Sequence, residues 1–470
     1  VSLEPEETLN STTSDGETNP LKMSQAQDFG QPKQIRAKTL DPEAKVFLKV
    51  FNLMKRKSVN RTNLHWTRLA WCLSAIALGR ADAVSKITTR WIPGPHNSIE
   101  LKLYWPSETA GSKPAFLWFH GGAFVMGGLT TADAICKHIA LASDAVVVAV
   151  RYRLAPEHDL YAGRADCLAA LGWIAREGHT VGIDSSRLAV GGDSAGGNIA
   201  AAVAQRYVTG GGAALRLQVL AYPSTNLVDD FASMAENASG YLLTKDDIDA
   251  VRVLISQDQP DLTDPWLSPA FNATLHELPP ALVVTAGFDP IRDDGLAYVD
   301  RLRRTGVSVE LLHYAGQFHG FLNFSGVLRS ARNALDHIGA ALRRALNAHT
   351  DEPAVDRTLE LSVPSNLELP LSALRMGRDV VLMSLMSGEL LEGWRCSMAR
   401  RMLPRNRWTM ALTASPFLNP VTACRAIAGQ QLAQIEASET YSGNWGVKPG
   451  TSPLRLTSDS TSDRANIDRA

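Results

Sequence analysis

The sequence predicts an α/β fold, an open and mostly parallel sheet covered by helices on both faces. Three observations lead there. Short, wholly apolar runs at 115–119 and 145–150 suit strands buried on both faces of a parallel sheet. Helical stretches follow each run, and repeated βα alternation over about 87–346 favours a parallel sheet. One of these strand–turn–helix units carries Gly192-Asp193-Ser194-Ala195-Gly196.

Element by element, Val46, Leu48, Val50, Phe51, Leu53 and Met54 suggest an amphipathic helix, and 64–83 a second. Ile99, Leu101, Leu103 and Trp105 alternate with polar neighbours, as a half-exposed strand does. Helices are expected near 132–142, 165–176, 198–207, 294–304 and 328–346. Further strands are expected at 188–190, 217–222, 281–285 and 307–313. Residues 229–261 break the rhythm and read as an insertion over the sheet edge, in which Thr244-Lys245-Asp246-Asp247 looks like a helix cap with an acidic first turn.

The ends differ from this middle. Residues 1–40 are rich in Ser, Thr, Glu, Gln and Pro without periodicity and read as a disordered tail. Pro353 and Pro364 mark a linker, which opens a 351–470 extension with helical spacing at 371–386, 390–402 and 421–435 and a Ser/Thr/Asp/Arg tail. The chain begins with Val1 and its first methionine is Met23, which leaves open whether residues 1–22 belong to the mature protein.

Composition narrows the function classes. The 470 residues carry 47 Lys and Arg against 48 Asp and Glu, a net charge of −1 that gives no support for nucleic-acid binding. With 45% hydrophobic and 20% charged residues the chain is ordinary globular protein. The five cysteines are widely spaced and form no CxxC pair, so neither a disulfide framework nor a zinc site is implied. Residues 1–20 are polar and acidic, unlike a secretory signal, and the apolar run 69–78 is short of the roughly 20 residues that span a bilayer. A cytoplasmic protein with no integral membrane segment is expected.

The chemistry is read from four places. A serine on a sharp strand-to-helix turn needs glycines around it, because neighbouring backbones come close. The turn lifts the hydroxyl above the sheet at a helix N-terminus, where developing negative charge is favoured. Ser194 is therefore the candidate nucleophile, with Gly192 and Gly196 as its steric support. A P-loop would need Gly-Lys-Ser/Thr, but Gly197 is followed by Asn198, and no G-x-G-x-x-G occurs across 191–197. His120-Gly121-Gly122-Ala123-Phe124 directly follows a strand. Its backbone N–H groups suit an oxyanion hole, assigned to Gly121 and Gly122 with Ala195. His120 itself is expected to order the loop by hydrogen bonding.

An acid and then a histidine must follow Ser194 in chain order. His313 is in phase with Val307, Val309 and Leu311 and reads as packed, and His337 and His349 lie on or after a terminal helix. His319, between Gly316 and Gly320 beyond the last strand, is the candidate base. Asp289 stands just past a strand, at the end where sites of open sheets lie, and is the candidate acid. Asp293 and Asp294 read as helix-capping residues. This chemistry requires no metal and no cofactor.

Together, His120-Gly121-Gly122-Ala123-Phe124, Tyr152-Arg153-Leu154-Ala155-Pro156-Glu157-His158, Gly192 to Asn198, Asp289-Pro290-Ile291-Arg292-Asp293 and His319-Gly320-Phe321 resemble the hormone-sensitive-lipase branch of the α/β-hydrolases, the bacterial family IV esterases. The resemblance covers roughly 41–346. It implies an eight-stranded, mostly parallel sheet in a 41–350 domain, with a helical cap from about 41–85 and 227–261. It also implies a carboxylesterase or lipase-like hydrolase of short- to medium-chain acyl esters. Ala123 replaces the commoner third glycine, and Asp159-Leu160-Tyr161 stands where a Pro-rich loop is more usual. An amidase or formamidase would use the same triad. A ligand-binding protein on this fold would keep the serine without the histidine, and His319 favours the enzyme. The expected partner is a small ester, and a homodimer stays open.

Overall fold

A computed structural model describes residues 32–53, 58–80, 82–108, 111–347 and 354–362. In chain order the elements are α1 (Pro42–Leu53), α2 (Leu64–Leu78), β1 (Lys86–Ile92), β2 (Ile99–Trp105), β3 (Lys113–Phe119), α3 (Asp133–Ser143), β4 (Val146–Val150) and α4 (Leu160–Glu177). Then come β5 (Ile183–Asp193), α5 (Ala195–Thr209), β6 (Leu217–Ala221), α6 (Ala232–Glu236), α7 (Lys245–Ile255), β7 (Ala281–Phe288), α8 (Arg292–Arg304), β8 (Val309–Phe318), α9 (Arg329–Asn347) and β9 (Arg357–Leu361).

The strands form one sheet in the order β1-β2-β4-β3-β5-β6-β7-β8-β9. β1 and β2 run antiparallel to their neighbours, and from β4 to β9 every pairing is parallel. Strand periodicity splits the core in two. Ala115, Leu117 and Phe119 of β3 join Val146, Val148 and Val150 of β4 on one face, against α4 and α5. Phe116, Trp118, Val147 and Ala149 point to the other face, against α3 and α9. Both faces are thus buried, which is why these strands read as continuous apolar runs rather than alternating ones.

The sheet departs from the expected eight strands at its far edge. Residues 357–361, read from sequence as part of a linker, form β9 beside β8, burying Leu359 and Leu361. Arg357 Nε donates to Glu310 Oε1 at 2.9 Å, which ties the segment to β8. β1 was not predicted as a strand; six of its seven residues are half-buried or exposed, so hydropathy carries little signal there.

The tail expectation also needs correction in part. Residues 32–40 are tied down: Ala37 N–H donates to Ala315 O at 3.0 Å, and His313 Nε2 lies 2.8 Å from Ile35 O. Such bonds to the end of β8 need no hydropathy period, so composition could not show them. The rest of the predicted tail (1–31) and the helical extension and final tail (363–470) lie outside the described residues.

The insertion carries α6 and α7. Thr244 caps α7 in the expected way, accepting from Asp247 N–H while Asp247 accepts from Thr244 N–H. Among the described residues no helix is long and apolar enough to cross a membrane.

Candidate active site

The site is built where β5 ends. Ser194 has φ 57° and ψ −120°, a conformation a side chain adopts only when its surroundings hold it there. Two glycines make that turn sterically feasible. A Cβ on Gly196 would sit 2.0 Å from Phe119 O. One on Gly192 would sit 2.4 Å from the same oxygen. Ser194 N–H donates to Ala221 O at 2.8 Å, and α5 starts immediately behind it.

β8 delivers His319 and β7 delivers Asp289, both at the carboxyl ends of their strands. The structure brings Ser194, His319 and Asp289 into one chain of contacts. His319 Nε2 lies 2.9 Å from Ser194 Oγ, and its Nδ1 lies 2.8 Å from Asp289 Oδ2. A carboxylate only accepts, so Nδ1–H donates to Asp289 and Nε2 is left to accept the serine proton. Asp289 is fully buried, and its other oxygen accepts Ile291 N–H at 2.9 Å. Tyr222 packs its ring edge against the imidazole, with centroids 4.9 Å apart.

The loop after β3 supplies the facing wall. Gly122, Ala123 and Phe124 all have positive φ, at 127°, 54° and 64°. Here one expected donor is reassigned. Gly121 N–H is committed to Asp193 Oδ1 at 2.8 Å. The N–H groups of Gly122, Ala123 and Ala195 form no hydrogen bond among the described residues. Gly121 is instead a close-approach glycine: a Cβ there would meet Asp193 Oδ2 at 2.5 Å. His120 is buried, and burial pushes its imidazole down to about 4, so it stays neutral. Its Nδ1–H donates to Gly121 O at 2.8 Å, and Tyr152 stacks on it and donates to its carbonyl at 2.6 Å.

Three further groups support the site, of which Arg164 and Asn237 carried no sequence signal. Asp193 is buried, and desolvation raises its carboxyl. Arg164, fully buried on α4, donates to Leu160 O, Asn198 Oδ1 and Leu267 O at 2.7, 2.6 and 3.1 Å. Asn237, beside α6, donates to Asp289 O at 3.0 Å and so steadies the acid loop from the insertion. Asp293 and Asp294 do not cap their own helix, contrary to expectation. Asp293 accepts from Ser233 N–H at 2.9 Å, and Asp294 accepts Thr225 N–H at 2.7 Å and Asn226 N–H at 3.1 Å. Asp293 reaches the first turn of α6 and Asp294 the segment after β6, because the first turn of α8 faces these segments rather than solvent.

Above Ser194 lies a partly open cleft. Phe124, Leu227, Met234, Leu243, Ile248, Val251 and Ile255 make most of it apolar, and Ser224, Asn226, Asp229 and Arg252 add polar groups. Most of these residues come from the insertion, which therefore covers the carboxyl ends of the strands. Among the described residues no group of three or more His, Cys, Asp or Glu is arranged to hold a metal ion.

Comparison with known proteins agrees with this geometry. Residues 116–323 match a family model for the alpha/beta hydrolase fold. The esterase LipI of Mycobacterium tuberculosis is 41% identical over 262 residues, spanning 54% of this chain and 81% of that one. The ethyl acetate hydrolase of Pseudomonas putida is 33% identical over 279 residues, spanning 58% and 87%. The hyperthermophilic esterase from the archaeon Pyrobaculum calidifontis superposes with a TM-score of 0.61 at 34% identity, covering 65% of this chain and 98% of that one. With a matching motif order, sheet and relatives, the chain belongs to the α/β-hydrolase fold family, in its hormone-sensitive-lipase-like esterase branch.

Proposed function

We propose that this chain is a serine carboxylesterase in which Ser194, His319 and Asp289 form the catalytic triad. Its substrates are short- to medium-chain acyl esters. The contact chain Asp289–His319–Ser194, at 2.8 and 2.9 Å, carries the reading.

Ser194 Oγ attacks the ester carbonyl as its proton passes to His319 Nε2. Asp289 fixes the tautomer and stabilises the imidazolium without taking the proton. Charge then develops on the carbonyl oxygen. Gly122, Ala123 and Ala195 are the donors that receive it, since Gly121 serves Asp193 instead. The tetrahedral intermediate collapses as His319 protonates the leaving alcohol. Water activated by the same imidazole then releases the acid from the acyl-enzyme. The apolar insertion residues favour an aliphatic acyl or alcohol part over a charged one.

A chain-length series of p-nitrophenyl esters tests both parts. Ser194→Ala and Asp289→Asn should each lower kcat by about 10⁴-fold or more. Turnover of p-nitrophenyl acetate that survives Ser194→Ala would overturn the assignment. Preference for the longest chains would contradict the substrate class.

A further inference from the structure

The segment after β6 forms one wall of the cleft, where Ser224, Asn226 and Leu227 line the same space as Ser194. Loops that meet a ligand are ordinarily the mobile part of a site. This one is held at five backbone groups within four residues. Ser224 O accepts Asn198 Nδ2–H at 2.6 Å, and Thr225 O accepts Ala270 N–H at 3.1 Å. Thr225 N–H and Asn226 N–H both donate to Asp294 Oδ2, at 2.7 and 3.1 Å. Leu227 N–H donates to Ser268 Oγ at 3.0 Å.

Asp294 differs from the other anchors. Its second oxygen accepts the Thr225 hydroxyl, so one carboxyl takes three hydrogen bonds from two consecutive residues. Asp294 is 2% exposed, and no Lys or Arg pairs with it among the described residues. Burying a carboxyl without a cation costs free energy. An acid in the first turn of α8 would favour the helix N-terminus equally well from the surface. What the inward position adds is the grip on 225–226. The anchors also tie the wall to the reacting groups. Asn198 lies one turn along α5 from Ser194, whose carbonyl accepts its N–H at 3.0 Å. Asp294 follows Asp289 in the first turn of α8. The place of the wall is thus set by the two elements that flank nucleophile and acid.

We propose that Asp294 is a positioning residue for substrate selectivity: it fixes the wall at 225–226, so that the cleft discriminates among ester chains by length. The inference rests on the carboxylesterase reading and adds to it a residue that acts through the wall and not on the reacting atoms. A fixed wall rejects a chain that is a methylene or two too long, whereas a wall free to retreat admits it.

The test is steady-state kinetics on p-nitrophenyl esters from acetate to decanoate, and on acetate esters of alcohols of the same lengths, so that either end of the ester can meet the wall. Asp294→Ala removes all three acceptor contacts. In the series whose chain lies against the wall, the ratio of kcat/KM between the preferred and the longest ester should fall by about tenfold or more. The change should lie in KM, with kcat on the preferred ester lowered by less than about threefold. Asp294→Asn keeps an acceptor for the two N–H groups and should restore most of the parent's ratio. Thr225→Val loses only the hydroxyl and should shift the ratio the same way by about threefold, which decides the matter if Asp294→Ala does not fold. Ratios in both series that Asp294→Ala and Thr225→Val leave unchanged overturn the proposal. So does an Asp294→Asn no better than Asp294→Ala, or an equal loss of kcat on every ester at constant KM. The esterase reading is tested apart from this by the loss of turnover in Ser194→Ala. Turnover that depends on Ser194 together with unchanged ratios refutes the role of Asp294 alone.

Discussion

His138 of α3 sits between two carboxylates. Its Nδ1 is 2.9 Å from Asp82 Oδ2 and its Nε2 is 2.8 Å from Asp336 Oδ1. Asp82 lies on the segment leaving α2 and Asp336 on α9, so one imidazolium joins three parts of the chain. Burial disfavours the charge, but the hydrogen bonds to Asp336 and Asp82 outweigh it and raise the imidazole to about 9. The unfolded value is about 6.5. A folded-state value above the unfolded one means stability that is complete below about pH 6.5 and disappears as pH rises through about 9. Linkage then puts the contribution at ~3 kcal/mol near pH 6, ~2 kcal/mol near pH 7.5 and ~0.4 kcal/mol near pH 9. Asp336 is 47% exposed, so water screens its share and the measured values should fall somewhat below these. The assay is urea unfolding of the parent and His138→Ala across this range. The stability difference between the two should shrink steadily with rising pH. A difference that stays flat from about pH 6 to about pH 10 would refute the charged clamp.

Three further substitutions test the packing around the site. Gly196→Ala places a methyl where Phe119 O stands 2.0 Å away, so the turn must shift, and kcat should fall by about 10²-fold or more in a steady-state assay. Arg164→Met removes the buried guanidinium's hydrogen bonds to Leu160 O, Asn198 Oδ1 and Leu267 O, of which Leu267 O keeps Asn198 Nδ2, and chemical denaturation should show a loss of about 3 kcal/mol. Leu361→Ala should cost about 2–3 kcal/mol if β9 is an integral strand; a change under about 0.5 kcal/mol would return the segment to linker status.

What could be read from the sequence depended on whether the signal was local. Ser194 announced itself because a strained turn requires small residues at fixed offsets, and Gly192 and Gly196 meet backbone when given a Cβ. His319 and Asp289 were found by chain order and strand ends, both properties of the linear chain. The apolar runs of β3 and β4 were legible because both sheet faces are covered. The misses involve partners far apart in sequence. Arg36 joins Glu236 on α6 at 3.1 Å and lies over the Phe288 ring, across about 200 positions that no periodicity records. β9 is short and half charged, and only its pairing with β8 makes it a strand.

The reassignment of Gly121 shows what the elbow motif leaves unsaid. Its second position, Asp193, is variable in the bare pattern, yet here its carboxylate bridges three loops. One oxygen accepts Gly121 N–H at 2.8 Å, and the other faces Asn323 Nδ2 at 3.4 Å, just past His319. The residue beside Ser194 thus anchors both the loop after β3 and the turn following His319. Burial raises this carboxyl, so holding it ionised costs free energy that its donors must offset. In the proposed mechanism the first amide of the loop serves the structure, and the next two, at φ 127° and 54°, are left to receive the charge. Preorganisation of that kind lowers the barrier because the donors need not move when the oxyanion appears. On the proposed mechanism, Asp193 therefore sets the positions of nucleophile, base and amide donors together.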